Sequence, residues 1–430
     1  MEVAAAMAVP FPEDVILEIL VHVKDVPSLF RCATACKRWR RLIRDPSFLR
    51  QRWPDPDFSS SLIGFCTQQQ QWPDPSVPYW ETCFVPTQRS PLHLARLAIS
   101  SLATTATAGL FGRAVPLVSR HNLLLVHLKK QPKSSLLIVH PENPATVQLA
   151  VCNLLAGTCD ILPPLKFPRV FESYQYNGYA ILTSVDCRST DERLLPTATS
   201  SFFKVALVTF ERDDLNYSLF TFSSDEGSWR VRNNCFEGTF RSDRYRSFGD
   251  AVVREGTTHW LYHYGGHMGF YLMNLNAQTD NLSLTKLPFL DYDRLAGYRS
   301  YTLGLNGVLS IICLLKYRHQ LEIWSQQNKG GTSEWRCTRT VELKHHPKDI
   351  RETKEWVLRE KCGTILICDR GGLIYTPNFE TRTMEEVVVH WPWRALSSWD
   401  ATPLDIDWPT IFVSRLTRYM YVFFFAKYAG

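Results

Sequence analysis

A small all-α module followed by a large all-β domain is the fold class this sequence predicts, and three observations carry it. Residues 11–53 place apolar side chains at helical spacing, interrupted by prolines and capping residues. From about residue 112 the texture changes to short apolar, β-branched or aromatic runs separated by Gly, Pro, Asn and Asp. No helical pattern of about 10–15 residues lies between those runs, which disfavours a parallel α/β sheet.

Phe11-Pro12 opens the first helix, and Glu13 and Asp14 follow in its first turn, where carboxylates favour the positive end of the helix dipole. Val15, Ile16, Ile19, Leu20 and Val23 recur at helical spacing as a wide stripe. Asp25-Val26-Pro27 breaks that helix, and Ser28 is expected to cap a second carrying Leu29, Phe30, Ala33 and Cys36. Lys37 to Ile43 forms a third, basic outside and apolar within, and Asp45-Pro46-Ser47 starts a short fourth ending near Trp53. A segment this short buries little surface, so its apolar faces need another chain or domain.

The 430 residues allow this module plus one large domain, and 45% apolar with 13% aromatic content excludes a disordered chain. A net charge of +6 is small for this length and gives no ground for nucleic-acid binding. The twelve cysteines are scattered without a Cys-x-x-Cys pair, and Met1 to Ala8 has neither a basic n-region nor an apolar run of signal length. The expectation is a chain that is not secreted, working in the cytoplasm, the nucleus or both, with reduced cysteines and incidental sequons at Asn216 and Asn281. Tyr419 to Ala426 is too short to span a bilayer and reads as a final strand.

Residues 1–10 read as a disordered lead and 54–111 as a linker. Within it, Gln68–Gln71 is a polar tract, and Trp-Pro-Asp-Pro occurs at both Trp53–Pro56 and Trp72–Pro75. Proline this dense predicts no helix or sheet over 54–90. Leu92–Leu102 can form one short helix, and Thr104–Gly109 is loop-like.

Strands are expected at Leu123–Leu128, Leu136–Val139, Gln148–Asn153, Tyr179–Ser184, Lys204–Thr209, Ser218–Phe222 and His259–Tyr264. Further runs lie at Phe270–Asn274, Leu309–Leu315, Gln320–Trp324, Thr364–Asp369, Leu373–Thr376 and Met420–Phe425. Two units recur among them. One is a strand, a turn built on Asn and Thr, and a second strand, at Val151–Pro163, Leu272–Pro288 and Tyr375–Val387. The other runs from Leu219 into Gly227-Ser-Trp229 and from Leu321 into Ser333-Glu-Trp335. Gly178, Gly256, Gly307 and Gly363 begin strands in the same relation.

Both halves resemble known families. Phe11-Pro-Glu-Asp-x-Ile-Leu-Glu-Ile-Leu20, Ser28-Leu-x-Arg-Cys32 and Cys36-Lys-Arg-Trp-Arg-x-Leu-Ile43 are similar in order and spacing to an F-box. Phe11 stands where Leu usually precedes the Pro, and Ala35 where Val usually precedes the Cys-Lys pair; both keep an apolar side chain. Residues 112–428 resemble the kelch-like F-box-associated β-propellers of plants, of the grass type, with their Gly-x-x-x-Trp-Leu strand, Asn/Asp-x-x-Thr hairpin and Ser-x-x-Gly-x-Trp hairpin. A β-sandwich is the second choice. A propeller must join its two ends, and Tyr419–Phe425 is the expected closing strand.

Catalytic motifs are absent: no Gly-x-Ser-x-Gly elbow, Gly-x-Gly-x-x-Gly, phosphate loop or His-Glu-x-x-His. His259, His263 and His267 are the candidate metal ligands, yet no carboxylate or Cys at ligand spacing completes them, so strand and turn histidines are the better reading. Arg241, Arg244, Tyr245 and Arg246 are the candidate substrate-binding cluster, set against a solvated loop paired with Asp243 and Asp250. Trp229, Trp260, Trp324, Trp335 and Trp356 are expected to pack between blades.

The resemblance implies a non-catalytic substrate receptor of a Skp-cullin-F-box ubiquitin ligase, without cofactor, metal, nucleic-acid or membrane partner. A Skp-type adaptor would dock on Pro12, Ile16, Ile19, Leu20, Leu29, Cys36 and Trp39, some of which must instead form the module's own core. The β domain would hold an unidentified target protein near the cullin-RING machinery. An F-box scaffold outside the ligase and a propeller enzyme are the alternatives. On this reading Leu20→Asp abolishes adaptor binding with the β domain intact, and residues 110–430 fold alone as a soluble β protein.

Overall fold

The computed structural model describes residues 11–23, 25–53, 60–71, 79–88, 114–128, 146–153, 158–166, 177–187, 202–211, 216–233, 235–236, 246–264, 269–287, 299–305, 308–315, 320–329, 332–343, 356–369, 373–388 and 401–415. The expected strands at Leu136–Val139 and Met420–Phe425, the helix at Leu92–Leu102 and the loop at Thr104–Gly109 lie outside them.

Four helices form the module: α1 (Glu13–Val21), α2 (Val26–Ala35), α3 (Lys37–Ile43) and α4 (Pro46–Arg52). Asp25, not Ser28, caps α2, its carboxylate accepting from the Ser28 backbone N–H at 2.8 Å. The correction follows from Pro27: a proline suits the first helical turn, which moves the cap back to the residue before Val26. Asp45 caps α4 in the same way through Ser47 at 2.8 Å.

The β domain is a six-bladed propeller. β1 (Ser60–Gln71) and β2 (Tyr79–Pro86) pair antiparallel and then leave the chain to build five other blades. The first holds β3 (Ala114–Arg120), β4 (Leu123–Leu128), β6 (Leu149–Asn153) and β7 (Thr158–Ile161), extended by the short pair β5 (Thr146–Val147) and β8 (Leu165–Lys166). The second holds β9 (Gly178–Thr183), β10 (Phe203–Glu211), β11 (Asn216–Ser223) and β12 (Ser228–Arg232), with the short α5 (Ser184–Cys187) after β9. The third has a divided first strand, β13 (Arg246–Phe248) and β14 (Val252–Arg254), then β15 (Thr257–Tyr264), β16 (Gly269–Asn276) and β17 (Leu282–Lys286). β18 (Arg299–Leu305), β19 (Leu309–Leu315), β20 (Gln320–Lys329) and β21 (Thr332–Glu342) make the fourth. β22 (Trp356–Lys361), β23 (Thr364–Asp369), β24 (Ile374–Asn378) and β25 (Thr383–Glu386) make the fifth. β26 (Thr402–Asp407) then returns to pair with β1, closing the ring, and runs directly into α6 (Trp408–Arg415).

Two expectations change here. Residues 60–71 and 79–86 are strands rather than linker, because the prolines of 54–90 cluster between strands and leave Ser60–Gln71 free of them. The strand seen closing the ring is Thr402–Asp407, and Tyr419–Phe425 lies outside the described residues.

The two repeat units are one structural element. Val151–Pro163, Leu272–Pro288 and Tyr375–Val387 cover the third and fourth strands of their blades, and so do the Trp229 and Trp335 segments. Register closes four of these outer hairpins over four-residue loops: Asn153↔Thr158, Ser223↔Ser228 and Asn378↔Thr383 are ladder partners, and the Asn276 N–H meets the Asn281 carbonyl. Asn276 and Asn378 side chains accept from the second and third backbone N–H groups of their loops, which is why Asn precedes Thr by three. The last loop residue is left-handed in Gly227, Asp280 and Arg382. The first two strands meet through two-residue turns with positive φ at both positions: His121-Asn122, Glu255-Gly256 and Cys362-Gly363. Gly178 differs from these glycines; it begins a first strand, where a Cβ would meet Phe248 at 2.9 Å and Trp260 at 3.2 Å.

Adjacent blades share apolar clusters, such as Leu207 and Phe220 with Leu125 and Val151, and Leu321 and Val341 with Leu366's neighbours Ile365 and Ile367. Trp260 is fully buried between the second and third blades, its indole N–H donating to the Tyr179 carbonyl at 3.2 Å.

Closure also brings charge inside. Asp405 on β26 is buried and receives Lys361 Nζ at 2.9 Å, the Ser119 hydroxyl at 3.2 Å and the His121 backbone N–H at 2.9 Å. Lys361 also donates to the Ser119 carbonyl at 2.6 Å, so three blades meet on one carboxylate. Beside it Arg120 grips buried Asp186 with both ends of its guanidinium, at 2.9 and 2.5 Å. Burial works to raise the Asp405 pKa, but the charges of Lys361 and His121 and their hydrogen bonds outweigh it, holding the carboxyl far below its usual range. Its stabilisation is therefore present above the unfolded value of about 3.9 and is lost as pH falls through the lower folded value.

Two outcomes follow. Asp405→Asn leaves Lys361 facing a neutral partner and costs about 3 kcal/mol at neutral pH; urea unfolding at several pH values checks this, and the variant loses less stability than wild type on acidification below about pH 4. Residues 110–430 lack β1 and β2 and leave β26 without its ladder partner, so, against the expectation that it folds alone, that fragment aggregates or melts well below the full chain in gel filtration and thermal circular dichroism.

Candidate functional site

The helical module is built against the seam where the closing blade meets the first blade. Ile16, Leu20, Leu29, Phe30, Ala33, Leu42, Ile43, Phe48 and Leu49 belong to one apolar cluster with Ile63, Phe84, Leu124, Cys152, Leu404 and Phe412. Phe30 stacks on Phe412 of α6 at 4.2 Å between centroids and meets Trp408 edge-on at 6.1 Å, while Trp53 tilts against Phe412 at 5.7 Å. The Trp408 indole N–H donates to the Ser61 hydroxyl at 2.9 Å, fastening α6 to β1. Much of the module's excess apolar surface is thus met by its own chain.

What remains outside is a second stripe of α1. Phe11, Val15 and Ile19 are 68%, 40% and 53% exposed. Val15 and Ile19, four apart, share one face of the helix, and Phe11 sits just before its N-cap, Pro12. They are three of the six large hydrophobic side chains exposed among the described residues. Pro12 is exposed beside Phe11 and serves as the N-cap position of α1. Helix α3 steadies this end: Arg38 donates to the Phe11 carbonyl at 2.7 Å, and Arg38 and Arg41 both pair with Glu13. Cys36, exposed, accepts from the Trp39 backbone N–H through its Sγ at 3.4 Å, and Trp39 is half-buried.

The seven candidate docking residues therefore divide. Pro12, Ile19 and Cys36 are exposed and Trp39 is half-buried, whereas Ile16, Leu20 and Leu29 are within the core. Phe11 and Val15 join the exposed set. The signal for them was present in the sequence, since the apolar arc of α1 is wider than one buried face needs.

The propeller candidates do not assemble a site. His259 is half-buried on β15 and bonds through Nδ1 to its cross-strand partner Asn274 at 2.7 Å; burial pushes its pKa down. His263 lies on the same strand and pairs in register with Phe270, while His267 lies outside the described residues. No group of three or more His, Cys, Asp or Glu side chains able to hold a metal exists among the described residues. Arg241, Arg244 and Tyr245 lie outside the described residues, and Arg246 opens β13 opposite Tyr264.

Residues 11–53 match the family model described as F-box-like. The helical module is an F-box-like domain. A search of curated proteins finds no match to the chain. Among solved structures the chain is similar to TolB from Acinetobacter baumannii, at 10% identity over 86% of this chain and 73% of that one, with a TM-score of 0.40. It is similar to a protein from Lactobacillus plantarum at 10% identity over 79% and 83%, with a TM-score of 0.39. Sqt1 from Saccharomyces cerevisiae gives 10% identity over 72% and 68%, with a TM-score of 0.34. Likeness this remote speaks to no shared activity.

Leu20 is fully buried in the F-box-like domain, so Leu20→Ala should cost about 2–5 kcal/mol. Chemical denaturation of the full chain measures it, with Ile19→Ala as a surface control that shifts stability by about 0.5 kcal/mol or less.

Proposed function

We propose that this chain is the substrate-recognition subunit of a Skp-cullin-F-box type ubiquitin ligase, a non-catalytic receptor. The carrying observation is the exposed apolar stripe Phe11, Val15 and Ile19 on a domain that matches the F-box-like model. F-box domains generally bind Skp-type adaptors, and this stripe with Pro12, Cys36 and Trp39 is the assigned docking surface. Leu20, Leu29 and Ile16 support it from beneath. The propeller is assigned the target protein, and cytoplasm or nucleus is the assigned compartment. The kelch-like, plant-type character belongs to the same reading. Its mechanism is proximity: a captured target is held near the ubiquitin-charged enzyme, raising its local concentration rather than changing its chemistry.

The test is co-purification of the full chain with a Skp-type adaptor. Ile19→Asp places a charge in the stripe without touching the core, and it should abolish capture while leaving the melting temperature within a few degrees of wild type. Capture retained by Ile19→Asp and Val15→Asp would remove the stripe from the interface, and no capture by the folded wild type would sink the receptor reading. Adaptor capture without cullin association would favour a scaffold outside the ligase.

A further inference from the structure

Two cysteines face each other across the outer hairpin of the first blade. Cys152 on β6 and Cys159 on β7 are direct ladder partners. The Leu162 N–H donates to the Leu149 carbonyl at 2.9 Å, which makes that position a hydrogen-bonded pair. Alternation along an antiparallel ladder then makes Cys152 and Cys159 a non-hydrogen-bonded pair, whose Cα atoms approach to about 4.5 Å with both side chains on one face. That separation falls within the range a disulfide spans, about 4.4–6.8 Å.

We infer that Cys152 and Cys159 form a peroxide-responsive dithiol that converts to a cross-strand disulfide. The two sites are unequal in the way the chemistry requires. Cys159 is half-buried on the outermost strand, between exposed Thr158 and Asp160, and so can be reached from solvent. Cys152 is fully buried in the apolar cluster beneath. The two side chains hydrogen-bond to each other, which lowers the Cys159 pKa against the opposing effects of burial and Asp160, while Cys152 is held high by that contact and by its deeper burial. Cys159 is therefore the nucleophile and Cys152 the resolving thiol.

The Cys159 thiolate attacks one oxygen of a hydroperoxide; an S–O bond forms, the O–O bond breaks, and the leaving oxygen takes a proton to depart as water or alcohol. Cys152 sulfur then attacks the sulfenic sulfur; the S–S bond forms, the S–O bond breaks, and the Cys152 proton leaves with that oxygen as water. Two thiols are oxidised by two electrons and one peroxide is reduced. The remaining neighbour of note is Cys66 on β1, fully buried and close enough to Cys152 to raise its pKa.

The full chain is treated with hydrogen peroxide at neutral pH, quenched with an alkylating agent and mapped by mass spectrometry. The expected product is a peptide pair joined through Cys152 and Cys159, lighter by two hydrogen atoms and restored by reductant, forming several-fold faster than oxidation of exposed Cys36 or Cys337. In Cys152→Ala the expected product is a Cys159 sulfenic acid trapped by a dimedone probe, without a cross-link. Sulfinic acid at Cys159 with Cys152 free, a Cys66–Cys152 bridge in its place, or Cys159 reacting no faster than Cys36 would each overturn the inference. Should Cys152→Ala not fold, the wild-type mapping alone decides, since its products distinguish every case.

Discussion

Everything in this molecule depends on the two ends of the propeller finding each other. The closing blade takes β1 and β2 from near residue 60 and β26 from near residue 405, so its ladder joins positions more than three hundred residues apart. No local tendency can form it. Until β26 reaches β1, the apolar faces of β1 and the first blade stay open, and α6 has nothing to rest on. The ring, the seam cluster and the seating of the F-box-like domain are consequences of one long-range pairing, which is entropically expensive and slow to form.

Burying charge at this seam fits the same logic. A purely apolar seam would tolerate a strand shifted by two residues, since alternation would be kept. Asp405 tolerates no such shift: its carboxylate needs Lys361 from the fifth blade and Ser119 and His121 from the first at once. The ionic knot sets the register of the last strand, while the surrounding cluster supplies most of the apolar burial.

Legibility in the sequence follows sequence distance. Strands such as Leu123–Leu128, Leu309–Leu315 and Thr364–Asp369 coincide with their apolar runs to the residue, because burial on both faces writes itself locally. Four helices were also readable, but their ends were not: Pro27 moves the α2 cap back to Asp25, Val23 lies beyond the end of α1 at Val21, and Cys36 caps α3 instead of continuing α2. The closing blade was not, since Ser60–Gln71 is half polar and its partner lies at the other end of the chain. His121-Asn122 was missed as a turn because it reaches positive φ without glycine. In the candidate site, periodicity placed Ile16, Ile19 and Leu20 on one apolar arc, yet which of them is buried depends on a cluster that also draws Ile63, Leu404 and Phe412 from distant parts of the chain.

The stacking of Phe30 on Phe412 has a mechanical meaning. A module tied to a propeller by a loose tether samples a cloud of positions, and its effective concentration at any one point falls as the tether lengthens. Here Phe30 of α2 stacks on Phe412 of α6, and α6 runs on from β26 and is fastened to β1 through Ser61, so side-chain packing as well as the chain joins the module to the closing blade. Contact at the seam, and not chain length alone, then sets where the module sits against the ring.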